Sequence, residues 1–283
     1  MFDANPGRER ASAPRLLVLA AFCCLALACV SRGLDLDAYR IVDLSHPFDA
    51  ETIYWPTEEG FVLEPGFEGV TEGGYYYAAN AFRSAEHGGT HIDAPRHFAE
   101  GQMTVDEIPL EQLVGEGIVV DVSIQCERAR DYLVRVDDFL AWEALHGAIE
   151  PGSIVLLHTG FGARWPDRER YMGTAERGAA GVEGLHFPGL HPEAASWLVE
   201  ERVIAAVGLD TPSIDHGPSK GFESHRVLFA RDVPAFENVA HLDALPPRGF
   251  SVIALPMKIR GGSGGPLRII GLVPRDAPSS GAP

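Results

Sequence analysis

Three histidines and one aspartate fall within eleven residues, in the segment His87-Gly-Gly-Thr-His91-Ile-Asp93-Ala-Pro-Arg-His97. Imidazole and carboxylate together suit zinc, manganese or iron far better than calcium or magnesium, which favour all-oxygen shells. Gly88 and Gly89 allow backbone conformations that other residues avoid, so the chain can fold back and bring His87 toward His91. His91 and Asp93 are two apart and share one face of an extended segment. The glycine pair and Pro95 argue against a helix, and Pro95 ends the strand and turns His97 back toward the same pocket. Surface histidines of a polar loop are the plainer alternative, and the better one for a single histidine. Four candidate groups punctuated by Gly-Gly and Pro favour a metal. The His-Glu-x-x-His pattern of zincins is absent.

Such a cluster needs a rigid sheet behind it. A first strand is expected at 40–44, followed by a turn at His46-Pro47, and a tyrosine-rich β stretch at 74–82. Short β-branched runs at 118–122, 153–158 and 203–208 suit buried strands. Asp137 is expected to cap a helix that places most of Phe139, Leu140, Trp142 and Leu145 on one face. A second helix at 191–201 has Pro192 in its first turn and turns Ala195, Leu198 and Val199 inward. Strands at 250–259 and 267–273 flank Gly261-Gly-Ser-Gly-Gly265, a loop expected to be flexible or to pass close to a ligand. This order predicts an α/β fold: a single domain with a mixed, strand-rich central sheet or barrel-like core flanked by helices, of swivelling β/β/α type. No internal repeat, interior linker or charge block divides it.

The 283 residues are 46% hydrophobic and 22% charged, enough apolar material for one sizeable core. Arg8, Arg10 and Arg15 precede an uncharged apolar run of 15 residues, 16–30, shorter than the roughly 20 a spanning helix needs. Its size, and the small-residue pattern Ala26-Leu27-Ala28, predict a signal peptide over 1–28 and an exported protein, periplasmic or extracellular. Cys29 follows at once, which leaves a lipid anchor on Cys29 open. A tether at 29–37, the main domain at 38–274 and a flexible tail at 275–283 complete the expected organisation. Removing 1–28 takes away a net +1, so the formal charge goes from −17 to about −18. So acidic a surface disfavours nucleic acid and anionic membranes as partners. Only Cys126 lies well inside the chain, so no internal disulfide framework is expected.

The histidine segment resembles the signature of the cyclase family of bacterial kynurenine formamidases and isatin hydrolases. Asp43-Leu-Ser-His-Pro47, Trp55-Pro56, Leu209-Asp-Thr-Pro-Ser-Ile-Asp215, His225-Arg226 and Phe236-Glu-Asn238 follow in the family's order, so the resemblance covers about 38–274. The stretch Leu255-Pro-Met-Lys-Ile-Arg-Gly-Gly-Ser-Gly-Gly-Pro266 is similar to the isatin hydrolase side. The resemblance implies His87, His91 and Asp93 as ligands of a first metal, with Asp93 bridging to a second completed by His225 and Glu237. It implies His97 as the acid/base residue, zinc or manganese as the cofactor with one or two ions, and a homodimer or larger homo-oligomer.

The chemistry expected is hydrolysis of a small aromatic amide, lactam or formamide by metal-bound hydroxide, with His97 moving the proton. Trp55, with Tyr54 or Phe48, would stack on an aromatic substrate; core packing is the alternative for Tyr54 and Phe48. Asp210 and Asp215 are candidates to orient ligand histidines, or else cap backbone amides. His46 is placed to reach the pocket, whereas His146, His158, His186, His191, His216 and His241 read as structural or exposed. Gly261-Gly-Ser263-Gly-Gly265 matches Gly-x-Ser-x-Gly, but a nucleophile elbow needs a following helix and Leu267 onward reads as strand. An inactive binding protein of the same fold is the alternative from another class; His97 speaks against it. A lactonase or dehydratase would keep the same residues.

Overall fold

The structure is a computed structural model that describes residues 35–275. The chain divides into Met1–Leu36 and Asp37–Pro283, and the described residues belong almost entirely to the second unit. The expected signal peptide, Cys29 and all of the tail beyond 275 lie outside them.

Eight strands build the main sheet: β1 Tyr39–Asp43, β2 His91–Asp93, β3 Val114–Asp121, β4 Ile154–His158, β5 Ala206–Leu209, β6 Ala235–Glu237, β7 Phe250–Pro256 and β8 Gly264–Pro274. Strands β3 to β6 are parallel neighbours, β2 runs antiparallel to β6, and β7 and β8 are antiparallel additions beside β3. The long strand β8 pairs with β7 along its middle, with β1 toward its end and, through Gly264–Pro266, with β2. That last pairing closes seven strands into a barrel-like ring, with β1 attached outside it. The mixed, closed sheet flanked by helices is the architecture expected.

Strand alternation produces two cores. Ile118, Val120, Val155 and Leu157 face the helices α1 Val136–His146, α2 Pro192–Glu200 and α3 Glu223–Phe229. Their neighbours Val119, Ile154 and Leu156 face the other way and pack with Phe236, Val252 and Ile269 from around the ring. Parallel strands buried on both faces need apolar side chains at successive positions, and 154–157 supply them.

Several expectations shift at the element edges. Helix α1 begins one residue before Asp137, and Asp138 is the acid at its start, accepting from the Arg135 amide at 2.8 Å. Only Phe139 and Trp142 of its apolar residues are buried, while Leu140 is 45% and Leu145 80% exposed. At 3.6 residues per turn the two leucines project to either side of the stripe that Phe139 and Trp142 define. In α2 the inward residues are Ala194, Ala195 and Leu198, with Pro192 in the first turn and His191 as N-cap. The 74–82 stretch divides between two short ribbons, Val62–Glu64 with Ala81–Arg83 and Glu68–Val70 with Tyr76–Ala78. The glycine-rich loop is ordered rather than flexible: Gly264 and Gly265 already belong to β8, and Ala94 donates its amide to the Ser263 carbonyl at 2.8 Å. Arg275, the last described residue, donates its amide to the Ala38 carbonyl at 2.9 Å.

Candidate metal centre

Strand β2 is short and enclosed by β6 and β8. Its register sets His91 opposite Glu237 and Pro266, and Asp93 opposite Ala235 and Gly264. The turn before it depends on two glycines. Gly89 has φ +57°, and a Cβ there would meet the Phe48 ring at 2.7 Å; a Cβ on Gly88 would overlap the Tyr54 ring. The Gly89 carbonyl is thereby aimed inward, where it accepts from His91 Nδ1 at 3.0 Å and Asn238 Nδ2 at 2.6 Å. After β2, Pro95 opens a single 3-10 turn, Pro95–His97, which brings the His97 ring onto His87 with centroids 3.8 Å apart.

All four residues of the segment therefore meet, and His225 and Glu237 join them. Asp93 Oδ1 stands 2.7 Å from His87 Nδ1 and 3.1 Å from His91 Nε2, and Asp93 Oδ2 stands 3.2 Å from His225 Nε2. Glu237 reaches His225 Nε2 at 3.1 Å and His91 Nε2 at 3.4 Å, and accepts the Ile214 amide at 2.8 Å. His97 Nε2 is 4.0 Å from Asp93 Oδ2. The donor atoms of His87, Asp93 and His97 lie within 4.8 Å of one another, as do those of His91, Asp93 and Glu237. His97 is thus close enough to ligate as well as to carry a proton.

Hydrogen bonds on the far side of two rings decide what the near side offers. His91 Nδ1 donates to the Gly89 carbonyl, and His225 Nδ1 donates to Asp215 Oδ2 at 2.6 Å. In the neutral rings each Nε2 then carries a lone pair pointing at buried carboxylates. Acceptors facing acceptors in a buried pocket require cations between them, either protons or a metal ion. Two imidazole nitrogens and two carboxylates converging in this way fit a divalent transition ion.

The electrostatics agree. Burial alone would push Asp93 up, but His87 and His97, with hydrogen bonds from His225 and His87, hold it well below the usual carboxylate range. Burial and the adjacent Asp93 charge push Glu237 up. Burial opposes protonation of His91 and His225, yet their carboxylate partners raise both, His225 well above its ordinary value. Burial pushes His97 down to about 4, with Asp93 opposing and His87 reinforcing the shift.

The group opens into a cavity of about 560 Å³ whose walls include Tyr54, Trp55, Phe98 and Phe222. Trp55 and Tyr54 both lie in its wall, with Tyr54 almost fully buried and its hydroxyl engaged with Ser84 at 2.6 Å. Phe48 does not line this cavity; it packs against Phe61 and lines a separate one of about 460 Å³. Its ring lies instead over Gly89, 2.7 Å from where a Cβ would stand. His46 also fails to reach the site, stacking instead on Trp165 at 4.2 Å. Asp215 orients His225, whereas Asp210 accepts from Thr159, Gly160 and Gly162 and touches no candidate ligand. Burial drives the Cys126 thiol up, so it is no thiolate nucleophile. Phe98, Phe222, Glu86, Ser263 and Asn238 were not read as site residues. Phe98 adjoins His97 in sequence and Asn238 adjoins Glu237, but Phe222 carried no local signal.

The sequence model of the cyclase family matches residues 42–216. Isatin hydrolase of Roseibium aggregatum is 31% identical over 210 residues, covering 71% of this chain and 77% of that protein. Kynurenine formamidase of Bordetella petrii is 29% identical over 189 residues, covering 66% of this chain and 77% of that protein. Among solved structures, isatin hydrolase A from Labrenzia aggregata bound to benzyl benzoate matches with a TM-score of 0.77 at 32% identity, over 87% of this chain and 98% of that one.

Proposed function

This chain belongs to the cyclase family, and from that premise we propose that it is a metal-dependent hydrolase opening the lactam ring of isatin-like substrates. The observation that carries the reading is the convergence of the His91 and His225 lone pairs on Asp93 and Glu237 beneath an aromatic-walled cavity. His87, His91, Asp93, His225 and Glu237 would hold one or two zinc or manganese ions. Bound there, such an ion supplies Lewis acidity, polarising a carbonyl and acidifying water.

The chain's own residues do the rest. Trp55 and Phe222, 6.2 Å apart between ring centroids, present aromatic surface to a planar substrate. His97, kept neutral by burial, is in the form that accepts a proton from the attacking water. It then returns that proton to the nitrogen as the C–N bond breaks, giving a free aryl amine and a carboxylic acid, whose remaining proton is lost to solvent to leave the carboxylate. Asp215 keeps His225 in the tautomer that faces the site. The similarity to isatin hydrolases in both sequence and structure favours a lactam over an open-chain formamide. An exported homo-oligomer is part of the same proposal, supported by the apolar run at 16–30 and by the resemblance respectively.

Elemental analysis of the purified protein, with rates on isatin, N-formylkynurenine, lactones and carbamates before and after chelation, tests this. We expect about one or two transition-metal ions per chain, isatin as the best substrate, and loss of turnover on chelation that added zinc or manganese reverses. Undiminished hydrolysis by metal-free protein would sink the reading.

A further inference from the structure

The glycine-rich loop before β8 has so far only a structural place, yet it ends on a candidate ligand. Ser263 Oγ lies 2.9 Å from His87 Nε2 and 2.7 Å from Glu86 Oε2, and the Ser263 amide also donates to Glu86 Oε2 at 3.0 Å. We propose that Ser263, backed by Glu86, is a positioning residue that fixes the tautomer and orientation of His87 and thereby sets affinity for the ion His87 holds. The inference rests on the metal reading of the site given above.

Proton counting makes the case. A serine hydroxyl has one proton, and the Glu86 carboxylate can only accept, so that proton goes to Glu86. Ser263 Oγ must then accept from His87, which puts the ring proton on Nε2 and the lone pair on Nδ1. Nδ1 is the atom 2.7 Å from Asp93 Oδ1, two acceptors that need a cation between them, the ion or, without it, a second ring proton that makes the hydrogen bond to Asp93. The relay from Glu86 through Ser263 thus turns the nitrogen that would hold the ion toward the Asp93 carboxylate and makes the ring more basic, as a carboxylate behind a ligand histidine does. Among the described residues His87 has no other such partner: His91 uses a backbone carbonyl and His225 uses Asp215.

The flanking glycines follow from the same contact. A Cβ on Gly264 would lie 2.5 Å from His87 Cε1, and one on Gly262 would lie 2.8 Å from Glu86 Oε1. Larger residues on either side would lift the serine off the relay. The Gly262 and Ser263 carbonyls accept from Val105 and Ala94, so the loop is tied down on both sides of β2's exit.

The connectivity Ser263–His87–Asp93 is also that of a hydrolytic triad. Two observations argue for positioning instead. Ser263 is not among the residues lining the catalytic cavity, and its proton is committed to Glu86.

The test compares wild type with Ser263→Ala, Ser263→Thr and Glu86→Gln. Each is stripped, then titrated with Zn2+ against a chromophoric chelator and with Co2+ by visible absorption. Ser263→Ala should bind one ion about 10- to 100-fold more weakly and alter the Co2+ spectrum. Ser263→Thr should restore affinity to within about threefold, and Glu86→Gln should fall between, which serves also if Ser263→Ala does not fold. Unchanged affinity and spectrum in both Ser263→Ala and Glu86→Gln would overturn the inference while leaving the metal reading intact. So would a Thr variant as weak as the Ala one, or covalent labelling of Ser263 by a fluorophosphonate. A wild-type protein that takes up no Zn2+ or Co2+ would overturn both.

Discussion

Burial acts on two imidazoles in this protein with different consequences. His97 is pushed down to about 4 inside the site, and we expect His97→Ala to retain its metal by elemental analysis while losing turnover by about 10²- to 10⁴-fold. Metal lost together with activity would instead make His97 a ligand, which its 4.0 Å approach to Asp93 allows geometrically. His46 is also pushed down to about 4, by burial first and then by His241, and its buried Nε2 has no hydrogen-bond partner among the described residues. A folded value below the ordinary 6.5 means the unfolded chain binds the proton more readily, so this contribution is complete above about 6.5 and fades as pH falls toward 4. The full difference is roughly 3 kcal/mol. Urea unfolding at pH 7.5 and pH 5 should therefore show a steeper loss for wild type than for His46→Gln; equal slopes would remove His46 from the account.

Elements place these residues, and the turn before β2 is the most demanding of them. Gly89 sits at φ +57° under Phe48, so Gly89→Ala meets both left-handed strain and a steric overlap. We expect about 2–4 kcal/mol of destabilisation in denaturant titration and reduced metal content, because the Gly89 carbonyl also orients His91. Much of this was legible beforehand. The Gly-Gly, the alternation His91-x-Asp93 and Pro95 are local signals with local consequences, and the apolar runs of β3 to β5 announced themselves in the same way. What was not legible depends on partners distant in the chain. His225 and Glu237 came from family resemblance, since nothing in their own spacing points at β2. Phe48 stood between stacking on a substrate and core packing, and the structure has it packed on Phe61, a distinction that local sequence around it does not carry. Helix α1 was given too wide an apolar face because hydrophobic spacing does not say how far a helix tilts into the sheet. Ser263 was weighed only as a nucleophile, since its motif suggests that chemistry and its contact with His87 spans 176 positions.

At the scale of the whole molecule, the candidate ligands come from β2, β6, α3 and the turn before β2, so an ion there would cross-link elements far apart in sequence. Binding to the folded state alone should raise stability by about 4 kcal/mol at a thousandfold excess over the dissociation constant. Chelated protein should therefore melt several degrees lower in calorimetry and recover with zinc or manganese; a melting point indifferent to metal would place the ions elsewhere. The ring itself is closed by the three residues Gly264–Pro266 against β2. A ribosome delivers His87 to His97 long before it delivers that strand. Until β8 emerges, β2 has one open edge and His87 lacks Ser263, so nascent chains expose the histidines without the cage. A chain stalled short of Ser263 would carry every candidate ligand but neither the closing strand nor the His87 contact, and would hold an ion more weakly than the complete chain.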